Sequence, residues 1–270
     1  MLLAIDHRTQ YATDAPSSQS VQYLRLTPRD DHGQRTLRWR LDAPGQATRW
    51  RDAFGNLVHC VVRHDPRTAT IIHVNGEVDT EQTHGIVPLD EGGLPAAVFL
   101  RATPLTAADE AIRDFAVPAE RLRAKGDLAA LHALMADIHE SIDYQPGETG
   151  VETPAVQVLA QGRGVCQDHA HLFIACCRAW GVPARYVSGY LHTDAQDGRH
   201  LATHAWAEAL VEHLGWVSFD PSNRQSATPA YVRLAVALDY QGAAPVRGVR
   251  KGGGREDMNV SVQVARLGGQ

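Results

Sequence analysis

The stretch GRGVCQDHAHLFIACCRAWGVPARYVSG, residues 162–189, determines how the rest of the chain is interpreted. A Gly-Arg-Gly turn runs directly into Cys166, and apolar residues at helical spacing follow it. Gly181 and Pro183 end the predicted helix, because glycine suits its C-terminal position and proline cannot continue it. Cys166 is therefore predicted in the first turn of a buried helix. Free backbone N–H groups and the helix dipole favour a reactive thiolate there.

Composition limits the classes of function. The chain has 270 residues, 44% of them hydrophobic and 21% charged, which is enough for one large domain or two ordinary ones. The formal net charge is −5 and no block is rich in lysine or arginine, so no nucleic-acid partner is predicted. No apolar run is long enough to span a membrane, and the N-terminus does not resemble a secretory signal.

The four cysteines are a poor framework for disulfides, because Cys176 and Cys177 are adjacent and Cys166 is a candidate nucleophile. A reducing cytoplasm is the compartment we expect. Cys176 and Cys177, in the middle of the helix, and Cys60, in a strand, are interpreted as core residues. No metal site is predicted from Cys166, His169 and His171, since their spacing differs from that of zinc ligands and His171 points elsewhere.

Residues 1–88 are predicted to form a β-rich N-terminal domain. Alternating or continuous apolar patterns at 21–26, 37–41, 57–62 and 70–74 indicate short strands, and frequent turn signals favour a small sandwich or barrel. Prolines and glycines between 86 and 105 indicate a connection to a second domain, residues 89–270.

The second domain is predicted to be α+β. Helices are expected from Thr106, over Asp127–Asp143, from 153 or 154 to Leu159, and from Cys166. Strands are expected at 184–191, 203–211, 215–219, 234–238 and 259–264, with a glycine loop at 252–254. Helices followed by an antiparallel sheet on which they pack are typical of the α+β class.

Two later segments offer partners for the thiolate, which needs a base and a group that orients the base. His204 lies in the strand THAWAEALV, and Asp220 ends the next strand in GWVSFDPSN. If these strands pair, both side chains project at one edge of the sheet, on which the helix of Cys166 must pack. We therefore predict a triad of Cys166, His204 and Asp220. The alternative roles are a half-buried strand histidine for His204 and a turn cap for Asp220.

The segments GRGVCQDHAHLFIACCRAWGVPARYVSGYL, THAWAEALVEHLGWVSFDPSN and VALDYQGAAPVRG resemble the core of the bacterial transglutaminase-like family, within the papain-like superfamily. The strings YLRLTP, WRL and DAFGNLVHC are similar to the β-rich region that precedes this core. The resemblance implies Cys166 as nucleophile, His204 and Asp220 as its partners, a papain-like fold, and acyl transfer from an amide through a thioester. It implies no metal and no cofactor.

Two strings depart from the family pattern. His169 stands where many relatives carry an aromatic residue, and ALDY replaces a GRDY-like string at 237–240. Both departures bear on substrate preference rather than on the triad. Trp206 is a candidate for lining a substrate groove, although packing in the core is the competing role.

The thioester chemistry requires an oxyanion stabiliser. The backbone N–H of Cys166 is one predicted donor. For the second donor, Gln161 is suggested by analogy with papain-like enzymes, and Gln167 competes for the same role.

Three functions follow from these residues: a transglutaminase-like acyltransferase, a thiol peptidase or amidase that hydrolyses the same intermediate, or a non-catalytic interaction protein that keeps the fold. The expected partner is a protein or peptide amide. The N-terminal domain is expected to present substrate, to cover the cleft or to support a homo-oligomer.

Overall fold

A computed structural model describes residues 1–89, 93–193 and 203–268. It confirms a mixed helix and strand fold with a strand-rich N-terminal region. The described strands are β1 (Leu2–Leu24), β2 (Gln34–Asp42), β3 (Gln46–Arg51), β4 (Leu57–Arg63), β5 (Arg67–Thr80), β6 (Ile86–Val87), β7 (Asp143–Tyr144), β8 (Arg163–Gly164), β9 (Ala184–Leu191), β10 (Thr203–Val211), β11 (Gly215–Phe219), β12 (Tyr231–Ala237), β13 (Val246–Gly252) and β14 (Glu256–Arg266).

The helices lie mainly between β6 and β9. None in the described part of the chain is long and apolar enough to cross a membrane. They are α1 (Glu110–Glu120), α2 (Asp127–Ser141), α3 (Ala155–Gln161), α4 (Cys166–Ala179) and α5 (Tyr240–Ala243), with 3₁₀ helices at Ala96–Leu100 and Arg121–Lys125.

The larger sheet is built around the 23-residue strand β1. The first half of β1 pairs with β5 and β14, and its second half pairs with β4 and β13. The register shifts between Ala12 and Ser17, where β4 passes into β5 and β13 into β14. Pro16, Pro66 and the glycines at 252–254 lie at these breaks. Proline cannot donate a hydrogen bond within a sheet, and glycine tolerates sharp bends. The two strand pairs that flank β1, β4–β5 and β13–β14, can therefore bend at the same level.

Several strands of this sheet are longer than the short strands that were predicted, and β1 alone spans 23 residues. Residues 2–20, 46–51 and 246–252 are strands that the hydrophobic pattern did not indicate. β3, for example, is exposed along its whole length, so no apolar alternation marks it. The division at residue 88 stays a prediction. However, β13 and β14, from the C-terminal end of the predicted second domain, complete the sheet of the first.

The smaller sheet carries the strands that were predicted around the candidate site. Its order is β12-β9-β10-β11-β6, and each pairing is antiparallel. One face packs against α4 and the other helices. From the opposite face, Tyr190, Val232 and Leu234 pack against Leu3 and Leu24 of the larger sheet. Because it is covered on both sides, this sheet is buried almost continuously rather than alternately.

The predicted start of the first helix at Thr106 is four residues too early. Asp109 caps α1, and its carboxylate accepts a hydrogen bond from the backbone N–H of Ile112 at 2.9 Å. The Thr106 hydroxyl instead bonds to Thr103 and accepts from Arg178. Aspartate competes well for a helix N-cap because its oxygen satisfies a free backbone donor.

Candidate active site

A tight connection places Cys166 at the start of α4. Gly162 ends α3 with a left-handed backbone (φ 67°), which glycine adopts without strain. The Asp168 carboxylate then accepts hydrogen bonds from the backbone N–H of Val165 at 2.7 Å and from the Thr149 hydroxyl at 2.6 Å. A Cβ at Gly164 would lie only 2.7 Å from that carboxylate, so glycine is needed there as well.

Asp168 therefore orients the loop before Cys166 and caps the helix. Arg185 does not pair with it, because the Arg185 guanidinium binds Glu208 at 2.6 Å. Burial raises the pKa of Asp168, and the hydrogen bonds from Thr149 and Val165 oppose that rise.

The structure brings Cys166, His204 and Asp220 together. β10 and β11 pair antiparallel with Ala207 opposite Phe219, so the residue after β11 comes back beside the beginning of β10. His204 Nε2 lies 2.6 Å from Asp220 Oδ2. This leaves Nδ1 for the hydrogen bond between His204 and the Cys166 thiol.

The charges of the group stabilise an imidazolium. Burial alone would lower the pKa of His204. The hydrogen bonds to Asp220 and Cys166 and the charges of both residues outweigh burial and raise the pKa to about 10. Burial likewise opposes ionisation of Asp220, but the hydrogen bond and charge of His204 lower its pKa to about 2. An imidazolium beside the thiol favours a thiolate.

Three residues that the sequence interpretation did not assign to the site hold Asp220. The Tyr231 hydroxyl donates to Oδ2 at 2.7 Å, and the Asn223 amide donates to it at 2.8 Å. The Ser222 hydroxyl donates to Oδ1 at 2.6 Å. The string DPSN was a visible signal for the two turn residues, because Ser and Asn commonly bond within turns. Tyr231 comes from β12, so only the folded sheet reveals it.

Trp206 lies on β10 beside His204 rather than in the cleft. It is fully buried, and its ring stacks with the His204 ring at a centroid separation of 6.2 Å. The Tyr231 ring meets Trp206 edge to face at 5.2 Å. These contacts fix the plane of the imidazole, so Trp206 supports the site through packing.

The two candidate glutamines have different surroundings. The Gln161 amide donates to the backbone carbonyl of Arg163 at 2.9 Å and does not line the cleft at Cys166. Gln167 does line the cleft, and its amide lies 3.4 Å from the Val151 carbonyl oxygen.

His169 lies three residues after Cys166 on α4, and its side chain faces the protein interior. Its Nδ1 is 2.9 Å from the carbonyl oxygen of Val165, and its Nε2 is 3.0 Å from that of Ile142. The side chain is buried and is not part of the cleft surface. It thereby connects α4 to the chain entering β7.

Tyr144 is a further residue beside the Cys166 thiol. β7 pairs in parallel with β8, which places Tyr144 opposite Gly164, two residues before Cys166. Its hydroxyl hydrogen-bonds with Cys166, and its ring packs on His169 at 6.2 Å. Burial, then the charges of Cys166 and Asp220, raise the pKa of Tyr144 to about 12, so the phenol keeps its proton at neutral pH.

A cleft of about 350 Å³ opens beside Cys166 and His204. The side of the cleft that bears Cys166 and His204 comes from α4, β9 and β10. The opposite side comes from the larger sheet and the chain that leads back to it, including Tyr11, Val246 and Met258. This volume is in the range of small-molecule and side-chain binding sites.

Two family models match separate parts of the chain. Residues 118–221 match the model of the transglutaminase-like superfamily. Residues 3–79 match that of the bacterial transglutaminase-like N-terminal region.

Similar proteins cover nearly all of the chain. An uncharacterized protein of Mycobacterium leprae is 30% identical over 285 residues, which include 98% of this chain and 99% of that protein. One from Mycobacterium tuberculosis H37Rv is 32% identical, covering 91% of this chain and 86% of that protein. The crystal structure of a proposed cysteine protease from Cytophaga hutchinsonii aligns with a TM-score of 0.78 at 22% identity, covering 100% of this chain and 92% of that one. That alignment establishes the common fold.

Proposed function

This chain belongs to the transglutaminase-like superfamily and carries its bacterial N-terminal region, and from that premise we propose that it is a cysteine-dependent acyltransferase acting on protein or peptide amides. The observation that carries the proposal is the hydrogen-bonded group of Cys166, His204 and Asp220 at the mouth of the cleft. A nucleophile, a base and an orienting carboxylate in that order are the requirements of acyl transfer through a covalent intermediate.

In the proposed reaction, the Cys166 sulfur forms a bond to the amide carbon. The proton held by His204 passes to the leaving nitrogen as the C–N bond breaks, which yields a thioester and a free amine. A primary amine or water then attacks the thioester and gives its proton to His204, and the C–S bond breaks to restore the thiolate. Asp220 keeps its charge and holds the imidazole in position throughout.

The negative charge that develops on the carbonyl oxygen needs donors. The backbone N–H of Cys166, at the start of α4, is the first that we propose. For the second, the Tyr144 hydroxyl is supported by its contact with Cys166 and by the proton it retains at neutral pH. Gln161 is less well supported because its amide is bound to Arg163 and lies outside the cleft. Gln167 lines the cleft and stays an alternative.

Hydrolysis of the same thioester is a second outcome with an observation in its favour. No described side chain lining the cleft is a carboxylate that would attract a cationic amine acceptor. Water needs no such group. The proposed compartment is the cytoplasm, where the described cysteines, all free, would stay reduced.

The decisive experiment offers a glutamine-containing peptide with and without a fluorescent primary amine, using the full chain and Cys166→Ala. Amine incorporation that Cys166→Ala abolishes supports the transferase, whereas ammonia or a peptide fragment released without incorporation supports a hydrolase. Thiol-probe labelling of Cys166 no faster than that of Cys60, with no turnover, would indicate a non-catalytic protein that keeps the fold.

A further inference from the structure

The wall of the cleft opposite the nucleophile is made by the face of the larger sheet. In the register of β1 and β14, Tyr11 stands opposite Met258, and Thr9 stands opposite Val260. Residues directly opposite one another project from the same face of a sheet, and all four line the cleft that contains Cys166. Met258 is 62% exposed although it lies in the cleft, so it is an apolar surface open to an incoming molecule.

Aromatic side chains extend this apolar surface toward the thiol. Tyr186 and Tyr240 line the cleft between the sheet wall and α4. Burial raises the pKa of Tyr11 to about 12 and also raises the pKa of Tyr186 and Tyr240. All three phenols are therefore neutral at pH 7.

The polar groups at the back of the cleft are neutral as well. His7 lines it and hydrogen-bonds with the Tyr190 hydroxyl at 2.8 Å and the Thr9 hydroxyl at 3.0 Å. Burial, opposed by the charge of Asp6, lowers the pKa of His7 to about 4. Apart from the catalytic group itself, the described residues that line this cleft include no aspartate, glutamate, lysine or arginine.

We propose that the face formed by Tyr11, Met258 and Val260, with Tyr240, is a specificity pocket for an uncharged apolar or aromatic group of the substrate, next to the reacting carbonyl. The inference rests on the proposed function, because the position of the substrate's apolar group is defined relative to a carbonyl that Cys166 attacks. The physical basis is desolvation: an apolar side chain gains by leaving water in this cleft, whereas an ammonium or carboxylate would lose hydration and meet no acidic or basic side chain among the described residues of this face.

The test uses thiol-reactive peptidyl vinyl sulfones that differ in one residue, leucine, glutamate or lysine. One set places that residue directly before the reactive group, and a second set places it directly after. The measured quantity is the second-order rate constant for labelling of Cys166. In at least one set, we expect the leucine probe to react at least about tenfold faster than both charged probes.

Met258→Glu should lower the labelling rate constant of the preferred leucine probe several-fold. It should also raise the rate constant of the lysine probe relative to that of the glutamate probe. Asn259→Glu is the matched control, because it adds the same charge one residue along β14, on the other face of the sheet. Equal rates for leucine and charged probes, or equal effects of Met258→Glu and Asn259→Glu, would overturn the specificity pocket.

Failure of the proposed function gives a different result. Iodoacetamide, which carries no side chain, reports the reactivity of Cys166 itself. A chain that shows leucine selectivity but turns over no amide keeps the specificity pocket and contradicts the enzyme. A chain that turns over amides without probe selectivity does the reverse.

Discussion

The two sheets that enclose the cleft have opposite properties. The smaller sheet is buried on both faces, carries His204 on β10 and places Asp220 just after β11. The larger sheet has long stretches of exposed residues and contributes an uncharged wall. Precise hydrogen-bond geometry is held best inside a rigid core, whereas an exposed surface can be changed without loss of the fold. We therefore place the proposed chemistry on the side of the smaller sheet and the proposed selectivity on the side of the larger sheet.

A buried charged network joins the two sides. Glu208 of β10 binds Arg185 at 2.6 Å and Arg233 at 3.0 Å. Arg233 also binds Asp31, from the turn before β2, at 2.6 Å, and Asp31 binds Arg29 at 2.9 Å. The network fixes the position of the N-terminal segment against the smaller sheet, since a buried charge cannot move away from its partner without a large cost.

The largest effect is expected from removing the nucleophile. Cys166→Ala should lower turnover of an amide substrate at least about 10⁴-fold, because none of the other described residues that line the cleft is a thiol able to form the thioester. Cys176→Ala is the control: its thiol lies in the same helix, and burial raises its pKa far above that of a free thiol. Activity lost equally in both variants would place the chemistry elsewhere than on the proposed side of the cleft.

Asp220→Asn should lower turnover by about 10²-fold or more, because the imidazole loses both its orientation and its stabilised charge. Since Asp220 helps to raise the pKa of His204 to about 10, the variant should also label more slowly with iodoacetamide at pH 6 than the wild type. An unchanged labelling rate would show that Asp220 does not act through His204.

The stability of the same pair has a definite pH window. The folded-state pKa of His204 is raised, so its stabilisation is complete below about 6.5 and is lost as pH rises through about 10. The folded-state pKa of Asp220 is lowered, so its stabilisation is present above about 4 and is lost as pH falls through about 2. The difference in unfolding free energy between wild type and Asp220→Asn should therefore be largest between about pH 4 and 6.5, as urea titrations would measure.

Glu208→Gln tests the link between the two sides. We expect the free energy of unfolding to fall by about 3 kcal/mol, since two buried guanidinium groups lose their shared carboxylate. Glu212→Gln removes the same charge at a position 84% exposed and should change it by less than about 0.5 kcal/mol. Equal midpoints in urea for the two variants would show that the network does not hold the sheets together.

The smallest effect is expected at Tyr144. Tyr144→Phe keeps the ring on His169 but removes the hydroxyl beside Cys166, and should lower kcat about tenfold with little change in KM. Tyr23→Phe, at an exposed position on the larger sheet, should leave both constants unchanged. A rise in KM alone would make Tyr144 a binding residue rather than an oxyanion donor.

The same contrast between the sheets explains what sequence reasoning found. β9, β10, β11 and α4 lie where strong apolar runs and glycine or proline boundaries predicted them. The approach of His204 to Asp220 followed from a short turn between adjacent strands. β3 and β13 were missed because their exposed residues give no clear alternation. The first half of β1 is buried at every second residue, but two of those buried residues, His7 and Thr9, are polar, so no apolar alternation marks it.

Tyr144 and Tyr231 were missed for a different reason. Tyr144 reaches Cys166 through a two-residue parallel pairing, and Tyr231 reaches Asp220 from a non-adjacent strand. Neither pairing leaves a local pattern, because both depend on contacts across the folded chain. The cleft wall at Tyr11 and Met258 is likewise a product of pairing between residues near the two ends of the sequence.

That pairing also sets the order in which a growing chain acquires its properties. Cys166, His204 and Asp220, with the supporting Tyr231, all leave the ribosome before residues 246–266, which make the final ribbon along β1. A nascent chain thus holds Cys166, His204 and Asp220 while β1 still lacks β14, the strand that bears Met258 and Val260. The surface that we propose to discriminate between substrates is therefore synthesised after the proposed catalytic residues, and chains that stop before β14 would carry Cys166 without that surface.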